Sequence, residues 1–205
     1  MHFPLIHVWH NSSLVIDHLR SQFSIQDRVA IAYLYSDYRD QGNQTILNIL
    51  GSLLTQLLTA SPHLPKNVVD ILRKKLKLRT KLQIKDVVHL TKITLQHYSR
   101  TFICIDAVDE LEDRTRLALF GAMQGLLNIS GIWLFITGRP HIKNQVSTNF
   151  NAMQQFTITL VANPDDVRLF LRHKLEIAEK ADPGTLNEQL KEQILTSLTE
   201  KSQEM

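Results

Sequence analysis

From Thr101 to Leu111 the chain reads TFICIDAVDEL. The apolar run Phe102-Ile103-Cys104-Ile105 stops abruptly at Asp106, with Asp109 and Glu110 close behind. Four consecutive apolar residues suit a strand buried on both faces, as in a parallel sheet covered by helices. Acids at the carboxyl end of such a strand stand in the crevice where α/β proteins bind ligands. Carboxylates there commonly hold Mg²⁺ and orient a water near a phosphate. A second apolar run, Ile132 to Ile136, ends in Thr137-Gly138-Arg139-Pro140 and brings a guanidinium to the same sheet edge. Its planar fork suits phosphate oxygens.

ICIDAVDEL resembles the Walker B motif of NACHT domains, a branch of the STAND class of P-loop ATPases, and ITGRP resembles that family's sensor 1. The resemblance is nearest to the nephrocystin-like subgroup, common in filamentous fungi, and covers roughly residues 11–205. It implies a doubly wound α/β fold of the P-loop NTPase type, with a mostly parallel sheet and helices on both faces. It also implies that Asp106 holds Mg²⁺, that Asp109 and Glu110 polarise the attacking water, and that Arg139 contacts the γ-phosphate of ATP. Intact relatives act as ATP-dependent oligomerisation switches in defence or incompatibility signalling.

One part of that pattern is missing. A phosphate-cradling loop needs glycines, so that successive N–H groups can point inward, and a lysine for the β/γ charges. The first glycine here is Gly42 and the first lysine is Lys66. Aligned on SSLVIDHL, the family's lysine falls near Val8 and its following hydroxyl near Trp9. The lost backbone hydrogen bonds are worth roughly 1.5–3 kcal/mol each, against about 8 kcal/mol for a micromolar ligand. The chain is therefore expected to take neither ATP nor Mg²⁺, and to be a truncated domain. On this expectation residues 1–10 would be an atypical N-terminal segment and residues 11–205 a truncated NACHT-like part, lacking the family's winged-helix region and repeats. The competing reading is a nucleotide-independent interaction or decoy module acting on full-length NACHT proteins. Its partners would be a second copy or NACHT paralogues.

Other signals bound the reading. With 205 residues and 43% apolar content the chain can bury one sizeable core. A single cysteine, Cys104, excludes an intramolecular disulfide, and no apolar run is long enough to span a bilayer. The expected compartment is the cytoplasm. Between Lys66 and Lys85 eight basic residues face Asp70 alone. This run reads as a solvated helix face with Ile71, Leu72 and Leu76 turned inward, in preference to nucleic-acid or anionic-membrane contact. His7 and His10, with Asp17 and His18, lack a third ligand at defined spacing and do not make a metal motif. Ser12 and Ser13 read as helix caps.

Periodicity places helices over 12–24, 45–59, 66–78, 84–99, 114–127, 165–179 and 186–202, with a turn or two over 142–147. Strands are expected over 29–35, 101–106, 132–136 and 156–161. Leu5 to Trp9 would have to fill the first-strand slot of the family's topology, or the sheet is incomplete there.

Overall fold

A computed structural model describes residues 8–23, 27–61, 64–159, 163–182 and 187–203. The chain divides into two units, one of Ile6–Gln154 and one whose described part falls within Gln155–Met205.

In the first unit, three strands form a parallel sheet in the order β1-β2-β3: β1 (Val29–Tyr35), β2 (Arg100–Asp106) and β3 (Ile132–Ile136). Val29 stands opposite Arg100 and Tyr35 opposite Asp106, while Thr101 faces Ile132 and Ile105 faces Ile136. The apolar run read from the sequence is thus the central strand. Side chains alternate along it, so Ile103 and Ile105 share one face, and Phe102, Cys104 and Asp106 the other.

The first of these faces meets α2 (Ile46–Ala60), α4 (Ile84–Leu95) and α5 (Asp113–Leu127) in one continuous core. Leu50, Leu53, Leu54 and Leu57 form the buried stripe of α2. Each such side chain is worth about 1.5–3 kcal/mol of burial. Thr45 caps this helix by accepting the Asn48 N–H, one of the donors a helix start leaves unsatisfied. The opposite face is covered by α1 (Val8–Gln22), which contacts β1 and β2 and buries Ser12 and Ile16. Helices therefore lie on both faces, as the apolar run requires. Cys104 is buried there, and burial pushes its thiol up to about 11.

The outer edge of β1 is closed by a side chain. The Gln56 amide on α2 donates to the Tyr33 carbonyl at 2.8 Å and accepts the Tyr33 N–H at 3.0 Å. Gln56 thus supplies the donor and acceptor of a missing neighbour strand. Gly131 makes the tight entry to β3. It has φ +83°, and a Cβ there would lie 2.6 Å from the Ser99 carbonyl oxygen.

Three readings from the sequence need correction. Val8 and Trp9 belong to α1, so these two residues do not form the expected strand, and Leu5 to His7 lie outside the described residues. Val8 and Trp9 are as apolar as a strand, but they start the helix that packs on β2. The expected strand over 156–161 is not formed by residues 156–159, where Phe156 and Ile158 are exposed, and Leu160 and Val161 lie outside the described residues. Alternation alone does not supply a ladder partner. On α3 (Lys66–Lys77), Val68 is buried and Ile71 and Leu72 are half-buried, but Leu76 is 77% exposed. The inward stripe stops one turn early.

The second unit is a helical pair, α7 (Pro164–Ala181) packed on α8 (Glu188–Gln203), with α6 (Lys143–Asn149) belonging to the first unit. Asn163 caps α7 through the Asp165 N–H, and Pro164 supplies a first-turn φ. Lys191 of α8 pairs with Glu179 of α7 at 2.6 Å. Among the described residues, no helix is long and apolar enough to cross a membrane.

Gln56→Leu keeps the bulk of the side chain but strands two buried-edge backbone groups. We expect a loss of about 1–3 kcal/mol in urea unfolding; an unchanged midpoint would show that Gln56 does not close the edge.

Candidate functional site

Three elements converge at the carboxyl end of β2. Asp106, only 2% exposed, ends the strand. Its Oδ1 accepts the Ser12 hydroxyl from α1 and the Thr137 hydroxyl, at 2.5 Å, from the residue after β3. Thr137 also accepts the Ala107 N–H at 2.9 Å, and its carbonyl accepts the Val108 N–H at 2.9 Å. A helix and two strands are thereby tied to a single carboxylate oxygen. Ser12 and Ser13 were expected to cap a helix start. They lie instead within α1, and Ser12 is buried against the acid.

The second oxygen of that acid is different. Among the described residues, Asp106 Oδ2 and Ser36 Oγ are the two buried side-chain oxygens without a hydrogen-bond partner. Ser36 is fully buried just past β1, and its N–H donates to the Asp106 carbonyl at 3.1 Å. Both orphan atoms thus belong to residues joined at one end of the sheet. An unmatched buried carboxylate oxygen is costly unless a cation or water meets it. Tyr35, opposite Asp106 in the ladder, has its phenol pushed above the ordinary value, by burial first and by the Asp106 charge second.

Past Asp106 the chain turns sharply. Ala107 sits in the left-handed region at φ +50°, and Val108–Glu110 form one 3-10 turn. The turn sends the remaining acids in separate directions. Asp109, whose side chain is 5% exposed, accepts the Arg139 N–H at 3.2 Å through Oδ1 and pairs with Arg139 Nε at 3.4 Å through Oδ2. Glu110 accepts the Tyr38 N–H at 3.2 Å from the loop after β1. The sequence-derived residues therefore split into Asp109 with Arg139, Glu110 with the β1 loop, and Asp106 with two hydroxyls. Among the described residues no three His, Cys, Asp or Glu side chains gather as a metal site. His7 lies outside them.

Two supports were not legible beforehand. Arg116 on α5 is buried, donates to the Leu111 carbonyl at 2.8 Å and to Gln145 on α6 at 2.7 Å, and pairs with Asp113. It pins the turn that carries the acids. Gly138 lets the segment after β3 approach, since a Cβ there would come within 3.2 Å of Asp109 Oδ1.

The loop after β1 is rigidified by its own polar groups. Asp37 caps the 3-10 turn Tyr38–Asp40 and pairs with Arg39 at 2.6 Å. Gln44 bonds both backbone groups of Asp37.

An acid-tipped central strand in a parallel sheet, covered by helices on both faces, defines an α/β domain of the P-loop-like class. The sequence matches the family described as Nephrocystin 3, N-terminal, over residues 10–139; that span is more than half of the chain, which belongs to this family. No curated protein matches it.

Hydrogen bonds from Arg39 hold the Asp37 carboxyl down at about 2. A depressed native value means that the pair's stabilisation is complete above the unfolded carboxylate range, ~3.9, and is lost as pH falls through about 2. In an NMR titration Asp37 should stay ionised through pH ~3 and, in Arg39→Ala, move toward ~3.9. Identical titrations in both proteins would contradict the pairing.

Proposed function

We propose that this chain is a NACHT-like domain of the STAND class whose nucleotide site is reduced to its metal-and-water half, and that it works through protein contacts without ATP. The Ser12–Asp106 contact carries the reading. In P-loop NTPases the hydroxyl closing the phosphate loop and the acid ending the Walker B strand hold Mg²⁺ together. Ser12, on the helix against β2, is placed for that hydroxyl. On this reading Ser12 takes the place of that hydroxyl, where alignment of the sequence alone put it near Trp9. Counting back, the lysine position is Asn11, the second glycine is His10 and the first is Leu5.

The donor set fits a divalent cation in part. Asp106 has an unmatched buried oxygen, and Ser12 stands beside it. When bound, Mg²⁺ would neutralise charge on β- and γ-phosphate oxygens. The triphosphate itself does not fit. Residues 8–11 are helical and include no glycine, so the chain there does not curl around a phosphate as a cradle does. No lysine stands ahead of Ser12. Mg²⁺ seldom binds without phosphate co-ligands. Asp109 and Arg139, the counterparts of a water-orienting acid and sensor 1, engage one another.

What persists is a folded surface. β3 pairs with β2 alone among the described strands and carries Trp133 exposed. This favours association with a second copy or with intact paralogues, in the manner of a decoy or regulator of their ATP-driven oligomerisation.

Titration calorimetry with Mg·ATP tests the reading. Expected is no saturable heat at concentrations where a micromolar ligand, about 8 kcal/mol, would saturate. Micromolar affinity that Asp106→Ala abolishes would overturn it.

A further inference from the structure

We propose that the carboxyl end of α3 and the turn after it form a docking surface for an anionic membrane. Arg73, Lys74, Leu76 and Lys77 line one open depression, and Leu78, Arg79 and Lys81 continue it as exposed residues. From Lys66 to Lys85 the one acid is Asp70. Lys75 is spoken for by Asp86 at 2.7 Å, a pair that ties the end of α3 to the start of α4. The helix closes through Arg79 at φ +51°, with the Thr80 N–H donating to the Lys75 carbonyl at 3.1 Å. The exposed groups are thus held on a fixed helix end.

Cations in a last helical turn complement the helix dipole, which alone would explain Lys74 and Lys77. It does not explain Arg79 and Lys81, which lie past the helix. Nor does it explain two leucines left 77% and 62% exposed in their midst. Had Leu76 turned inward, as the sequence suggested, the patch would be an ordinary solvated face.

Leucines projecting between lysines and arginines match an interfacial binding element, in which apolar groups enter the headgroup boundary while cations meet anionic lipid. Duplex nucleic acid offers phosphates for the cations but nothing for the leucines. The inference does not depend on the nucleotide reading.

Co-sedimentation of the full chain with phosphatidylcholine vesicles, with and without phosphatidylserine, tests it. Expected is pelleting only with phosphatidylserine, lost at high salt. Leu76→Ser with Leu78→Ser should weaken binding about tenfold with the charges intact. Lys74→Glu with Lys77→Glu should weaken it by more, since each cation near the surface is worth about fivefold. Thermal unfolding should be unchanged in the leucine pair, whose side chains are exposed, and only slightly lowered in the lysine pair, which loses its favourable interaction with the helix dipole. Absence of pelleting, equal pelleting on neutral vesicles, or indifference to the leucine pair would overturn the proposal. So would retention by duplex DNA that ignores the leucines, which would assign the cations to nucleic acid.

Discussion

The first unit depends on how one buried carboxylate is satisfied. Asp106 ends the central strand where water is excluded, and a bare acid there would be strongly unfavourable. Two hydroxyls answer one of its oxygens, Ser12 from the helix on one face and Thr137 from the end of the neighbouring strand. The carboxylate is thus a joint between α1, β2 and β3. A position that nucleotide-binding relatives use for metal has here become, on our reading, a tie within the protein. The Asp106 charge orders this end of the sheet.

The rest of that edge follows the same economy of polar groups. Asp109 closes on Arg139, Glu110 takes a backbone N–H from the β1 loop, and Arg116 holds the intervening turn from beneath. Each acid read from the sequence as part of a catalytic cluster has a partner inside the fold. The far edge of β1 is closed by Gln56 in the way a strand would close it. Among the described strands, β1 is the one whose outer edge a local side chain closes in place of a neighbour.

The sequence made some of this legible for clear reasons. TFICIDAVDEL has the composition of a doubly covered strand, and the α2 stripe of Leu50, Leu53, Leu54 and Leu57 repeats at helical spacing. The start of α1 was misread because Val8-Trp9 is as apolar as a strand. Ser12 was taken for a cap because hydroxyls prefer helix starts, and its tertiary partner lies 94 residues away. Periodicity assigned Leu76 to the core although the buried stripe of α3 ends at Leu72. Gln56 and Arg116 carry no local signal, since their roles exist only once α2 meets β1 and α5 meets the acidic turn.

Ser12 and Asp106 are coupled directly in protein free of nucleotide. A double-mutant cycle of Ser12→Ala and Asp106→Ala, followed by urea unfolding, measures that coupling. A coupling of about 1 kcal/mol or more is predicted for a buried charge-assisted bond. Losses that add to within about 0.3 kcal/mol would contradict the joint.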